Sequence, residues 1–132
     1  MIFGNTKDVV AKEIKTFPFK SKSWPVKGTF IQWLSQVGDP AVPEYGLRLF
    51  TIKPGGFIPV HQHQYAQTEV MISGKLLAGY YDDNGKVLEE KVIGPGDFFY
   101  VPPMEIHGMK NTGKEDAKFY CCICVLGEEC AV

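Results

Sequence analysis

Residues 55–74 read GGFIPVHQHQYAQTEVMISG, and this stretch holds two of the three histidines in the chain. His61 and His63 are separated by one residue, in a run that follows Pro59 and is typical of an extended strand. Side chains at positions i and i+2 of a strand point to the same face. The two imidazoles are therefore predicted to point the same way, close enough to share one ion.

The third histidine, His107, lies far along the chain in GPGDFFYVPPMEIHGMKN, residues 94–111. Imidazole is the side chain most often found on Zn, Fe, Cu, Ni and Mn in proteins. A close pair on one strand and a distant third histidine together indicate an ion held inside a barrel. Spacing alone leaves a second interpretation open, in which the pair lies on the surface and binds nothing.

Composition indicates one ordinary globular domain. The chain has 132 residues, of which 45% are hydrophobic and 22% charged, and its formal net charge is -1. This balance gives no indication of a nucleic-acid or membrane partner. The basic segment KEIKTFPFKSKSWPVK, residues 12–27, is interpreted as a solvated N-terminal arm. No apolar run approaches the roughly 20 residues that span a bilayer, and the first residues lack a signal-peptide pattern, so a cytoplasmic protein is expected.

Short apolar and aromatic runs alternate with turn signals along most of the chain, which predicts an all-β sandwich or barrel. DDNG is predicted to form a tight hairpin turn, because Asn84 and Gly85 tolerate positive φ. A short helix is considered for residues 6–15. The predicted strands cover residues 29–34, 47–52, 57–61, 68–72, 75–81, 86–93, 97–101, 107–111 and 117–125.

Two motifs resemble those of the cupin superfamily. The first runs from Gly55 through the HxH pair to Gly74, and the second runs from Gly96 through Pro102 and His107 to Asn111. In particular, the chain is similar to small single-domain bacterial cupins that bind one metal ion. The resemblance implies a double-stranded β-helix, the jelly-roll barrel of that superfamily. We expect an N-terminal arm with an edge strand over residues 1–27, the barrel over 28–127 and a tail over 128–132.

The resemblance also implies a ligand set, with two departures from the family pattern. His61, His63, Gln67 and His107 are the implied ligands of one divalent transition metal, which is Mn, Fe, Ni or Zn. Gln67 occupies the usual glutamate position, with Glu69 as a rival, and Met104 replaces a turn glycine. A neutral amide leaves the +2 charge of the ion uncompensated, which favours an anionic ligand at the open positions.

Glu69 and Cys121 are the predicted catalytic residues. Glu69 would be a nearby charge or a base if it points inward, and a solvated side chain if it points outward. The last strand lines the cavity of similar cupins, and its alternation separates Cys121 from Cys122. Cys121 is therefore either a thiol at the site or a small core residue. All four cysteines, at 121, 122, 124 and 130, lie near the C-terminus and are expected to be reduced thiols.

Several other residues are weighed as neighbours of the site. Met104 and Met109 are candidates for the pocket wall, and Arg48 and Tyr65 for substrate anchors. The aromatic side chains at 33, 50, 57, 98, 100 and 119 are interpreted mainly as barrel core.

The function implied by the resemblance is an oxygenase-type reaction on an enol-like, aromatic or carboxylate small molecule. A non-redox isomerase or lyase, and a binding module without turnover, are the alternatives, because the fold supports all three. The expected partners are a small-molecule substrate and a second copy of the chain. The homodimer would form through the apolar edge TFIQWLS, residues 29–35.

Overall fold

The structure is a computed structural model that describes residues 1–35 and 45–124. All strand pairings are antiparallel. The elements are a 3₁₀ turn at Thr6–Asp8 and the strands β1 (Lys12–Phe19), β2 (Lys22–Ser35), β3 (Tyr45–His61), β4 (Gln67–Ser73), β5 (Leu76–Tyr81), β6 (Val87–Ile93), β7 (Phe98–Val101), β8 (Ile106–Lys110) and β9 (Ala117–Cys124).

The strands follow the order β6-β5-β8-β3-β9-β4-β7, with β2 along β3 and β1 outside β2. Residues 45–52 of β3 pair with β9, whereas residues 57–61 pair with β8. The sheet folds over at β3, so that side chains of β4 and β9 share one core with those of β5, β6 and β8. This is the predicted all-β jelly-roll barrel.

The bend inside β3 joins the two sequence motifs. Gly55 has a φ of +77°, a conformation that side chains disfavour. Its N–H donates to the carbonyl of Asn111 at 3.0 Å, and the N–H of Asn111 donates to the carbonyl of Gly56 at 2.9 Å. The buried Asn111 amide also donates to the carbonyl of Ile52 at 2.9 Å. The first residue of one motif and the last of the other therefore hold the bend.

Each predicted strand overlaps an observed one, and the two predicted over 47–52 and 57–61 are halves of β3. The helix considered for residues 6–15 is wrong beyond the 3₁₀ turn. β1 forms instead, because Ile14 and Phe17 pack against the core. The DDNG turn does join β5 to β6, as predicted, with positive φ at Gly85 (+83°) and not at Asn84.

The basic N-terminal segment forms the β1–β2 hairpin. Lys20 and Ser21 make its two-residue turn, with φ values of 49° and 62°. The solvated arm predicted here is only partly correct, because Phe17 contacts the core cluster. β2 crosses the proposed boundary at residue 27, and the domain limits stay a prediction.

The segment proposed as a dimer edge is not free. Thr29, Phe30 and Ile31 pair with β1 on one side and with β3 on the other. The homodimer stays a prediction, but these residues do not offer the exposed edge from which it was inferred. Within the described residues no helix is long and apolar enough to span a membrane, and the cytoplasmic location stays a prediction.

Ser21→Gly is expected to raise the free energy of unfolding by about 1 kcal/mol, because glycine adopts left-handed φ without the steric strain of a Cβ atom. Urea unfolding measures the change. Ser23→Gly is the matched control, since Ser23 lies in β2 opposite Pro18 and glycine inside a strand is destabilising by roughly 0.5–1 kcal/mol. Equal destabilisation by both variants would contradict the argument.

Candidate metal centre

The three histidines converge at one end of the barrel. His61 ends β3, His107 lies opposite it in β8, and His63 follows in the connection to β4. One ring nitrogen from each histidine lies within 4.8 Å of the other two. The ring centroid of His61 is 4.2 Å from that of His107 and 5.5 Å from that of His63. The rings of His61 and His63 therefore point the same way, as predicted, and converge with the ring of the distant His107.

Each imidazole is oriented by a hydrogen bond to the main chain. The Nδ1 atoms of His61, His63 and His107 each lie 2.8 Å from a backbone carbonyl, those of Pro59, Tyr65 and Glu105 respectively. A carbonyl only accepts, so Nδ1 carries the proton in each neutral ring. Nε2 is left with a free lone pair, which is the arrangement found for metal-binding histidines.

The surroundings keep the three rings neutral. Burial lowers the pKa of His61 from 6.5 to about 4 and that of His107 to about 3, and the neighbouring histidines add to the effect. Burial also lowers the pKa of His63. Neutral imidazoles present lone pairs at neutral pH, so no proton competes with an ion there.

Gln67 and Glu69 both face the barrel interior, as their alternation in β4 predicted, and both are buried. The Gln67 amide Nε2 donates to Glu69 Oε1 at 2.6 Å and lies 3.4 Å from His107 Nε2. The amide therefore adjoins the histidine cluster, and turning it half a revolution would present its oxygen instead. Glu69, only 2% exposed, does not take the outward, solvated position. Burial raises the pKa of Glu69 to about 8, although Arg48 opposes the shift.

Cys121 faces inward from β9 and contacts Arg48. The Arg48 Nη2 atom donates to Cys121 Sγ at 2.8 Å, and both side chains are buried. Burial raises the pKa of the Cys121 thiol, so it is protonated at neutral pH. Cys122 is exposed on the opposite face, as alternation predicted. Cys130 and the side chain of Cys124 lie outside the described residues. The catalytic roles assigned to Glu69 and Cys121 stay predictions.

A cavity of about 20 Å³ adjoins the histidines, space for little more than one water molecule or ion. Phe17 lines it and stacks on the His61 ring at 4.9 Å between centroids. No sequence signal linked Phe17 to the site. The cavity is lined by Phe17, Arg48, Phe50, Ile58, His61, His63, Tyr65, Gln67, Glu69 and Met109.

The two methionines predicted to flank His107 take different positions. Met109 is buried in the cavity wall, whereas Met104 is 49% exposed. Met104 has a φ of +66°, the left-handed conformation that the motif glycine would adopt. Its N–H donates to the His63 carbonyl at 2.8 Å. Met104 therefore supports the site through its backbone.

A larger, open cleft of about 570 Å³ reaches His107 from another side. Tyr80 and Lys91 contribute to one wall and Phe99 to another, so apolar and charged groups both face it. Its volume falls within the range of small-molecule sites.

The donor set fits a divalent transition ion. Three neutral Nε2 atoms point toward one another, an amide lies beside them, and apolar side chains surround them. Imidazole donors suit Zn, Fe, Ni, Co and Cu, and the geometry does not choose among these metals.

Comparison with known proteins places these residues in a family. The profile of the Cupin_2 family, described as "Cupin domain", matches residues 48–125. Germin-like protein subfamily T member 3 of Arabidopsis thaliana is 37% identical over 82 residues, which are 60% of this chain and 36% of that protein. Germin-like protein 5-1 of Oryza sativa subsp. japonica is 37% identical over 73 residues, 52% of this chain and 31% of that protein. The chain spans about a third of these curated relatives, which are plant proteins.

Solved structures share the fold at low sequence identity. The polyketide cyclase RemF from Streptomyces resistomycificus superposes with a TM-score of 0.76 and 21% identity, over 96% of this chain and 80% of that one. An RmlC-like cupin from Shewanella frigidimarina gives a TM-score of 0.69 and 19% identity, over 96% and 93%. An oxalate oxidase gives 0.66 and 22%, over 75% and 52%.

The metal-free protein is expected to lose stability as the pH falls from about 7 to about 4.5. In this window the unfolded chain binds protons at histidines of pKa 6.5, whereas the folded chain holds His61 and His107 neutral. Glu69 has the opposite effect, because its raised pKa makes the folded chain bind a proton that the unfolded chain has released. The histidines outnumber Glu69 by three to one, so their effect on the free energy of unfolding dominates. Urea unfolding across the window measures the slope, and His107→Gln should make it shallower. An unchanged slope would count against the buried neutral histidines.

Gln67→Glu is expected to destabilise the metal-free protein by about 1–3 kcal/mol, because it replaces the amide donor to Glu69 with a second carboxylate. The same variant should bind Mn²⁺ more tightly, since a carboxylate suits that ion better than an amide. Thermal unfolding with and without Mn²⁺ measures both effects. Gln64→Glu is the control, because it adds the same charge at an exposed position. Similar behaviour of the two variants would place Gln67 away from the ion.

Proposed function

Because the chain belongs to the cupin domain family, we propose that it is a metal-dependent enzyme of the oxygenase type that acts on a small molecule. The observation that carries this proposal is the set of three buried imidazoles with converging Nε2 atoms, each ring oriented through Nδ1. His61, His63 and His107 would hold the ion, with Gln67 as the fourth ligand. A structural role for an ion is less favoured, because three histidines and an amide leave coordination positions open.

A bound divalent ion would supply Lewis-acid or redox chemistry at the positions that the protein leaves open. The protein side chains divide the remaining tasks. Glu69 lies two residues after Gln67 on the same face of β4, and its Oε2 atom has no hydrogen-bond partner among the described residues. It can therefore hold a proton close to the ion site. Phe17, Phe50 and Met109 exclude water from the cavity.

The cleft that reaches His107 supports a small-molecule substrate, because its volume of about 570 Å³ falls within the range of small-molecule sites. The substrate class remains broad in this proposal and includes enol-like, aromatic and carboxylate compounds. The 20 Å³ cavity favours one second candidate, a module that binds metal or a small ligand without turnover. Such a module needs no room for a substrate beside the ion.

The test begins with metal analysis of the purified protein and anaerobic loading with Mn²⁺, Fe²⁺, Ni²⁺ or Zn²⁺. We expect one ion per chain, and binding weaker by at least about tenfold in His107→Gln, because a ligand is lost. Gln62→Ala is the control, since the Gln62 amide contacts the Met104 carbonyl and not the histidines. Oxygen uptake is then measured with a panel of enols, catechols and carboxylates.

Absence of a bound ion would refute the metal centre. A tightly bound ion without oxygen uptake or other turnover, for every metal and compound tested, would refute the enzyme and favour the binding module.

A further inference from the structure

The buried Arg48 guanidinium is poorly satisfied by the protein around it. Its side chain is 6% exposed, and its Nε atom has no hydrogen-bond partner among the described residues. A guanidinium carries five N–H donors. Its Nη2 atom donates to Cys121 Sγ, a weak and uncharged acceptor, and the guanidinium also contacts the neutral Tyr65 hydroxyl. A buried charge without a counter-ion is strongly unfavourable, so an arginine left in this state points to a missing anion.

No protein carboxylate in the described part of the chain supplies that anion. The ion pair found there is Lys53 with Asp116, on the surface. Glu69 lines the same cavity but forms no ion pair with Arg48, and its Oε1 accepts from Gln67. The Arg48 charge therefore faces the cavity without an ion-pair partner among the described residues.

The guanidinium is also held in place on its other faces. Its Cζ atom lies 5.4 Å from the ring centroid of Trp33 and 5.0 Å from that of Phe50. These contacts and the bond to Cys121 fix the side chain without neutralising it. A rigid guanidinium with free donors binds a planar carboxylate through two parallel hydrogen bonds.

Arg48 lines the same cavity as His61 and His63. We propose that Arg48 anchors the carboxylate of a small substrate in the cavity beside the three histidines. The inference rests on the proposed metal-dependent function and narrows its substrate class to small carboxylic acids. At about 20 Å³ the cavity holds little more than one small group, so only the carboxylate head of the substrate would enter it. The three imidazoles and the Gln67 amide agree with this, because they are neutral and do not repel an anion.

The experiment compares glycolate with glycolamide, which has nearly the same shape but no charge. Binding to the Zn²⁺-loaded wild-type protein is measured by calorimetry, with the zinc content determined in parallel. A second readout is the fluorescence emission of Trp33. The chain has two tryptophans, and a Trp24→Phe background removes the other one. We expect glycolate, but not glycolamide, to change this emission and to bind at least about tenfold more tightly than glycolamide, because charge-assisted hydrogen bonds are lost with the amide.

Arg48→Gln should remove this preference at unchanged zinc content, and Arg48→Lys should retain part of it. Equal binding of glycolate to wild type and Arg48→Gln would overturn the proposal. So would equal binding of glycolate and glycolamide to the wild type, a comparison that stands even if the variants do not fold. If zinc does not bind, the metal centre fails separately, and the same pair of ligands titrated into the metal-free protein still tests Arg48.

Discussion

The hydrogen bond from each imidazole Nδ1 to a main-chain carbonyl is the interaction on which the candidate centre depends. The acceptors for His61 and His107 lie two residues before the histidine, and the acceptor for His63 lies two residues after it. Each ring is thus oriented by the backbone beside it. The backbone positions are set in turn by pairing of β3 with β8, in which His61 stands opposite His107. The strand register therefore fixes the orientation of the imidazole rings.

A polar cluster continues from the histidines into the barrel interior. Gln67 donates to Glu69, and Arg48 donates to Cys121, where an apolar core would be expected. Two atoms in this cluster, Glu69 Oε2 and Arg48 Nε, have no partner within the described residues. Partly satisfied buried groups oppose folding, so their presence is better explained by a ligand than by stability. The carboxyl group of this cluster, Glu69, lies two residues after Gln67, which occupies the glutamate position of the family motif.

Strand alternation is the reason that much of the centre could be predicted from sequence. Period-two patterns predicted that Gln67 and Glu69 share a face and that Cys121 and Cys122 do not, and the structure has both arrangements. His61 and His63 also converge, although His63 lies beyond the end of β3. The two motifs were sufficient for the jelly-roll fold, since their glycine and asparagine residues hold the bend in β3.

What alternation could not predict depends on contacts between distant segments. Phe17 reaches His61 only because the β1–β2 hairpin packs along the barrel. From sequence, the segment that contains Phe17 was interpreted as a basic N-terminal arm. The free donors of Arg48 depend on the positions of Trp33, Phe50 and Cys121, which lie on three different strands. Methionine itself gives no local signal for positive φ, so the left-handed backbone at Met104 was indicated only by the turn glycine that Met104 replaces.

The pairing of β3 with β9 has a consequence for biosynthesis. Residues 45–52, which carry Arg48, are aligned with residues 117–124 at the far end of the described chain. Cys121, the partner of Arg48, belongs to that last strand, and β4 with Glu69 is also paired to it. His61 and His63 are translated more than fifty residues before β9, whereas His107 precedes it by only about ten. The interior around the three histidines is therefore closed only after β9 has been translated and has paired with β3 and β4.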